Sequence, residues 1–252
     1  MQDNPLILDL CRQHLVQRDG YNVWEKKRTE TLWQASLTAL LLCDLWDSHW
    51  CRGAVERLDA MIDRMNKVVH GCREEDVLII HAPSGTMDFY TDSPARQRAS
   101  SVSPLGIPDD LEHDDPPLPI DASDNGSDTG EVAPNGVWSR QHPGIDINEE
   151  KDIISDNGKE IYSYLKHHDI DHLLIMGVHT NMCVLHRSFG IKQMIRWGVD
   201  VALIRDLTDT MYNPKRAPYV SHDEGTELVI EHIERHWCPS MLSDDLLKGY
   251  PG

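Results

Sequence analysis

Basic side chains are scarce in this 252-residue chain: 24 Lys and Arg stand against 42 Asp and Glu, which gives a formal net charge of −18. A surface of that charge repels nucleic-acid backbones and anionic membrane surfaces, so we expect neither as a partner. Long apolar runs are missing as well. Runs such as Ala39–Cys43 are far shorter than the roughly 20 residues that a membrane-spanning helix needs.

Cysteine is also sparse, with six residues and no Cys-x-x-Cys pair. That number is too small for a disulfide-stapled fold of this length, so we interpret the cysteines as mostly buried, reduced thiols, one of which can still be a nucleophile. The N-terminus carries an early Asp3 and no basic segment, so it is not a signal peptide as it stands. We therefore expect a cytoplasmic protein, and a secretion signal removed by processing stays open.

Lys and Arg are missing altogether between Arg98 and Arg140. The same stretch holds nine acids, which is half of the net charge of −18. Prolines interrupt it, so we predict an acidic loop inserted at about residues 99–139. Two interpretations stay open: a solvated loop, or a segment that binds a cation and closes over the active site as a lid.

Apolar runs alternate with helical patterns through residues 33–252, which we interpret as the main domain behind an extension at 1–32. Buried strands are predicted at 39–43, 76–81, 173–177 and 199–204. Their alternation with helices predicts a three-layer, doubly wound α/β fold, with a mostly parallel sheet and helices on both faces. In the extension, Asp19-Gly20 between two apolar segments predicts a β-hairpin.

Polar residues follow the predicted strands at their carboxyl ends, where ligands bind in parallel sheets. Asp44 ends the first strand, where it is placed to carry a proton to a leaving group. The stretch GVHTNMCVLHRSFG (residues 177–190) runs from another strand through a turn into a helix predicted over Val184–Trp197. Cys183 would begin that helix, where free N–H groups and the helix dipole favour a thiolate and can bind an oxyanion.

The stretches LLLCDLWDSHWC (residues 40–51) and MGVHTNMCVLHRSFGIKQMIRWGVDVALIRDLTD (residues 176–209) resemble the isochorismatase-like cysteine hydrolases. This family includes nicotinamidases and N-carbamoyl amidohydrolases. The resemblance covers most of residues 38–210, apart from the acidic insertion. It implies the same α/β fold and a homo-oligomer.

For the active site, the resemblance implies a triad of Asp, Lys and Cys. Asp44 would accept the thiol proton, and Cys183 would attack an amide carbonyl to form an acyl-enzyme. The resemblance also implies a cis peptide bond at Val178–His179. The backbone N–H groups of His179 and Cys183 would then form the oxyanion hole.

The triad lysine has two candidates in this sequence. Spacing to the signature strand favours Lys151, in INEEKDIIS, and Arg140, in WSRQHPG, is its rival. An arginine could hold the aspartate and polarise a carbonyl, but it could not exchange protons near neutral pH. We expect His186 and Arg187, one turn after Cys183, to face solvent or a subunit interface.

Four further side chains are predicted to line a substrate pocket: Trp46, His49, His81 and Asp206. The Asp-x-His metal motif of nicotinamidases is missing after the second strand, so no cofactor is required by this prediction. A zinc site that combines His81 with Asp47 or His49 stays open, because imidazole and carboxylate suit zinc. The alternative for His81 is a hydrogen-bonded pocket residue.

These observations predict a cysteine-dependent hydrolase that cleaves a C–N bond of a small amide, carbamoyl or ureido compound through an acyl-enzyme on Cys183. Two alternatives stay open. One is an isochorismatase-type hydrolase of another small substrate. The other is a non-catalytic binding or assembly protein built on the same scaffold.

Overall fold

The computed structural model describes residues 5–132 and 136–248, and eight strands of this part form one sheet. The strands are β1 (Pro5–Arg18), β2 (Tyr21–Gln34), β3 (Thr38–Cys43), β4 (Leu78–Ala82), β5 (Ile153–Ile154), β6 (His172–Val178), β7 (Asp200–Asp209) and β8 (Ser240–Met241). The α-helices are α1 (Arg52–Glu74), α2 (Pro94–Ser100), α3 (Gly158–His167), α4 (Ile191–Arg196) and α5 (His222–His236). In this part of the chain, none of the helices is long and apolar enough to cross a membrane.

The strands follow one another in the order β2-β1-β8-β7-β6-β3-β4-β5. The pairs from β8 to β5 are parallel, whereas β1 pairs antiparallel with both β8 and β2. Parallel strands joined by helices require both faces of the sheet to be covered. The predicted α/β fold with a mostly parallel sheet is therefore confirmed.

Side chains of the central strands alternate between two apolar cores, one on each face of the sheet. On β3, Leu40 and Leu42 join the core that Leu58 of α1 completes. Leu41 joins the other core, to which Ile161 of α3 belongs together with residues of α4 and α5. Both faces of β3 are buried, which is why Ala39–Cys43 form a continuous apolar run.

The N-terminal segment forms a hairpin that extends the main sheet. Its strands pair antiparallel from Pro5↔Gln34 to Arg18↔Tyr21, and Asp19 at the turn has a φ of +50°. Cys11 pairs with Ser240 of β8, so the hairpin is hydrogen-bonded to the rest of the sheet. Residues 1–4 lie outside the described part of the chain.

The homo-oligomer stays a prediction, and the molecular mass in solution would test it.

The chain after β6 differs from the regular helix predicted over Val184–Trp197. Thr180–Val184 forms a single π-helical turn, in which the N–H of Val184 donates to the carbonyl of His179 at 3.2 Å. A second turn follows, closed by the N–H of Gly190 on the carbonyl of Arg187 at 2.8 Å, before α4 begins. Cys183 therefore lies inside a tight turn and not at the start of a long helix.

The acidic insertion is attached to the domain through its own carboxylates. They pair with basic side chains at Asp115–Lys192 (2.5 Å), Asp124–Arg216 (3.1 Å) and Asp128–Arg57 (2.8 Å). Gly126, with a φ of +72°, packs so closely that a Cβ there would lie 2.3 Å from the Met211 carbonyl oxygen. Across residues 5–132 and 136–248, no group of three or more His, Cys, Asp or Glu is arranged to hold a metal ion. The lid stays a prediction, and its residues 133–135 lie outside the described part.

Candidate active site

Asp44 lies directly after β3, at the carboxyl edge of the sheet. Its backbone has a φ of +50°, in the left-handed region that few non-glycine residues adopt. The side chain is 0% exposed, and Oδ1 accepts the backbone N–H of Ser84 at 2.7 Å. Since Ser84 follows the neighbouring strand β4, two adjacent strand ends fix this carboxylate.

The end of β6 brings the cysteine turn next to Asp44. Gly177 has a φ of +127°, and a Cβ at this position would lie 2.1 Å from the carbonyl oxygen of Cys43, so glycine is required. The Thr208 hydroxyl donates to the Gly177 carbonyl at 2.8 Å and fixes the strand end. The Val178–His179 peptide bond is cis, as the resemblance implies.

The Cys183 thiol lies close enough to the Asp44 carboxylate for the two groups to shift each other's pKa, and the backbone N–H of His179 acts on the sulfur as well. Burial, and next the Asp44 charge, raise the pKa of Cys183 to about 12. Burial and the carboxylate thus act against the thiolate that the start of a helix was expected to favour, and they outweigh Arg187 and the His179 N–H, which lower the pKa. Burial also raises the pKa of Asp44 above its ordinary range, against the opposing charge of Arg187. A raised pKa makes this carboxylate a better proton acceptor for the thiol.

The cation beside Asp44 is Arg187, which the sequence analysis placed toward solvent or an interface. Its Nε–H donates to Asp44 Oδ2 at 2.9 Å. Burial alone would lower the pKa of Arg187, but the Asp44 charge outweighs it and raises the pKa above its ordinary value. Arg187 follows Cys183 by four residues, a separation that puts two side chains on one face of a helical turn. This spacing is the signal that could have identified it.

The structure places neither predicted cation beside Asp44. Lys151 is exposed on a turn, where its backbone N–H donates to Asn148 Oδ1 at 3.1 Å. The next residue, Asp152, is 1% exposed and pairs with Arg73 at 2.7 Å. Because Asp152 is anchored inward, Lys151 lies at the surface. The guanidinium of Arg140 lies 5.5 Å from the centre of the Phe89 ring.

Replacing Lys151 with alanine should leave kcat/KM at the wild-type value, because the side chain lies on an exposed turn away from Asp44. Steady-state kinetics with any hydrolysed substrate measures this. A loss of about 100-fold or more, the scale of a proton-transferring residue, would return Lys151 to the triad.

Two of the four predicted pocket residues lie elsewhere. His81 is 0% exposed, and its ring nitrogens contact Gln141 Oε1 at 2.9 Å and Asp152 Oδ2 at 3.0 Å. Both nitrogens thus have hydrogen-bond partners, which is the arrangement expected of a hydrogen-bonded histidine, and the zinc site at His81 stays a prediction. Asp206 is exposed and accepts the backbone N–H of Ser243 at 2.8 Å. The sequence analysis put Asp206 at a strand end, but β7 continues to Asp209.

The other two, Trp46 and His49, form an aromatic wall near the cysteine turn. Trp46 stacks on Trp138 with 4.0 Å between ring centres, and its Nε1–H donates to the Ser84 carbonyl at 3.0 Å. His49 meets the His179 ring edge-on at 4.8 Å. Trp138, from the far side of the acidic insertion, was not predicted, because no local pattern in the sequence links it to Trp46.

His49 of this wall and the neighbouring His179 are both neutral at physiological pH. Burial lowers the pKa of His49 to about 4. Burial, and next the proximity of His49, lower the pKa of His179 to about 3. The wall therefore presents uncharged, flat surfaces, and Arg187 supplies the positive charge that acts on Cys183.

A parallel α/β sheet with a cysteine beside a buried aspartate at its carboxyl edge is the arrangement of the isochorismatase-like cysteine hydrolases. A model of the isochorismatase domain matches residues 38–218. The chain belongs to this family, and the resemblance stated from its motifs is confirmed. Its class of activity is hydrolysis.

Solved structures give the same fold. A cysteine hydrolase from Pseudomonas syringae pv. phaseolicola 1448A is similar at 13% identity and a TM-score of 0.54, over 86% of this chain and 93% of that one. A putative isochorismatase hydrolase from Oleispira antarctica is similar at 14% identity and a TM-score of 0.51, over 85% and 97%. At these identities the likeness shows the fold alone. A comparison with curated proteins gives no match.

Proposed function

We propose that the protein hydrolyses a C–N bond of a small amide, carbamoyl or ureido compound through an acyl-enzyme on Cys183. The observation that carries the proposal is the proximity of the Cys183 thiol to the buried Asp44 carboxylate, which is close enough that each group shifts the pKa of the other. A thiol with a raised pKa needs a base at hydrogen-bond distance before it can attack a carbonyl. Asp44 is that base, and Ser84 and Arg187 hold it in place.

The proton would move with the bond changes. Asp44 takes the thiol proton as sulfur bonds to the carbonyl carbon, and the oxyanion accepts the His179 N–H that now contacts the sulfur. Asp44 next gives the proton to the nitrogen, the C–N bond breaks, and ammonia or an amine leaves. Water then attacks the thioester and Asp44 takes its proton; the C–S bond breaks, Asp44 returns the proton to the sulfur, and the acid leaves. Arg187 positions Asp44 and exchanges no proton.

A screen of small amides, carbamoyl and ureido compounds for release of ammonia or an amine tests this function. We expect hydrolysis of at least one compound, with one acid formed for each amine released. The Lys151→Ala variant is screened beside the wild type. It should release the same amines, since Cys183 and Asp44 are unchanged in it. Release by neither protein, with any compound, would contradict the proposal.

A further inference from the structure

The Arg187 guanidinium uses only one of its N–H groups in a hydrogen bond to the protein. Its Nε–H donates to Asp44 Oδ2, and in the described part of the chain its two η nitrogens have no hydrogen-bond partner. The side chain is 39% exposed, whereas Asp44 is fully buried beneath it. A planar guanidinium held at Nε keeps the orientation of its remaining N–H groups fixed. These donors are therefore preorganised and open to a small molecule.

Two other cationic or titratable side chains near the cysteine turn, Arg57 and His222, are already paired. Arg57 donates to Asp209 at 2.9 Å and to Asp128 at 2.8 Å. The ring of His222 contacts Asp209 Oδ1 at 2.9 Å and the Tyr212 carbonyl oxygen at 3.0 Å. Arg187 therefore carries a positive charge that acts on Cys183, and its η N–H groups have no partner in the described part of the chain.

The charge around Arg187 changes during the proposed reaction. At rest, Asp44 balances it across the 2.9 Å contact. Once Asp44 takes the thiol proton, the carboxylate becomes neutral and the negative charge moves to the sulfur and then to the oxyanion. The direct ion pair of Arg187 with Asp44 is thereby weakened, so Arg187 would hold an anionic group of the substrate more strongly as the reaction proceeds. Interactions that strengthen toward the transition state raise the rate of the chemical step.

We propose that the outer edge of Arg187 binds a carboxylate of the substrate, so that the preferred substrates are small amides or ureido compounds that also carry a carboxylate group. The guanidinium fork matches a carboxylate with two parallel hydrogen bonds. This inference rests on the proposed function for its choice of substrates. The recognition itself is a property of Arg187 and Cys183 and can be measured without turnover.

Iodoacetate and iodoacetamide provide the test, because both alkylate a thiol and they differ mainly in carrying a carboxylate or a neutral amide. The rates at Cys183 are measured at pH 8 by peptide mass spectrometry. The ratio of the two rates cancels the intrinsic reactivity of the thiol. In the wild type we expect this ratio to exceed that of Arg187→Gln by about tenfold or more, the scale of a charge-assisted pair.

Arg140→Gln is the matched control, since it removes an exposed cation that stacks on Phe89 and does not touch Asp44. Its ratio should equal that of the wild type. A second measurement uses the wild type alone: propionate should protect Cys183 from iodoacetamide at concentrations where propionamide does not. This measurement decides the question if Arg187→Gln does not fold.

Equal ratios in the wild type and Arg187→Gln, or equal protection by propionate and propionamide, would overturn the inference. Failure of the inference and failure of the proposed function remain distinguishable. Hydrolysis of neutral amides without carboxylate selectivity at Cys183 removes the inference and keeps the function. Carboxylate selectivity at Cys183 without hydrolysis of any compound removes the proposed function and keeps the inference.

Discussion

The Cys183→Ala variant should hydrolyse every substrate of the wild type at least about 10⁴-fold more slowly, at the background of the assay. The variant lacks the sulfur that forms the bond to the carbonyl carbon. A water molecule in place of the sulfur is not held in position to attack that carbon. Asp44 and Arg187 keep their 2.9 Å contact in the variant, so the substrate can still bind. Steady-state release of amine measures the loss.

The control for this variant is Cys51→Ala. Cys51 is buried at the start of α1, and its sulfur lies 3.8 Å from Asp128 Oδ1 and 3.5 Å from the Thr129 hydroxyl oxygen. It should keep the wild-type turnover, because none of these contacts involves Asp44 or Cys183. Thermal unfolding shows whether the Cys183→Ala protein is folded. If the folded variant still turns over substrate, Cys183 is not the nucleophile.

The Asp44→Asn variant should lose about 10²- to 10⁴-fold in kcat/KM, the range of a general base. Asparagine keeps the size of the side chain, and its oxygen can still accept the Ser84 N–H. It cannot take the thiol proton, and burial, the largest cause of the raised pKa of Cys183, remains in the variant. The loss should appear in kcat as well as in kcat/KM, because the missing step is chemical.

The pH profile distinguishes a base from a structural carboxylate. Activity needs Asp44 ionised, so kcat/KM falls as the pH is lowered through the pKa of Asp44. Burial raises that pKa, so the midpoint of the acid limb should lie above the ordinary carboxyl value of 3.8. The limb should be missing from the residual activity of Asp44→Asn. An identical acid limb in both proteins would assign the titration to another group.

The sequence was sufficient to predict the four central strands β3, β4, β6 and β7 of the sheet and both residues, Cys183 and Asp44, that meet at its edge. Strands buried on both faces are continuous apolar runs, and the polar residue that ends such a run must lie at the carboxyl edge. Asp44 and the 177–190 stretch both meet this condition. Trp46 and His49 followed from their closeness to Asp44 along the chain.

Counting residues back from the signature strand gave the wrong cation. Lys151 has suitable spacing, but burial of the adjacent Asp152 with Arg73 turns the lysine outward. Arg187 was assigned to a regular helix, whereas the π-helical turn at Thr180–Val184 brings it over Asp44. Such irregular turns depend on tertiary contacts, and hydrophobic periodicity does not report them.

The acidic insertion shows the same limit. Its composition suggested either a solvated loop or a cation site. The partners of its carboxylates, among them Arg57, Lys192 and Arg216, are spread over more than 150 residues of sequence. A charge pattern predicts that such a segment is polar, but it does not predict which distant cations it meets.

Interception of the acyl-enzyme by hydroxylamine tests the central claim most directly. Hydroxylamine attacks a thioester in place of water, so an amide that turns over in its presence should give the hydroxamate at the expense of the acid. The rate of amine release should not fall, and the Cys183→Ala variant should give neither product. Turnover that yields only the acid at saturating hydroxylamine would contradict an acyl-enzyme on Cys183.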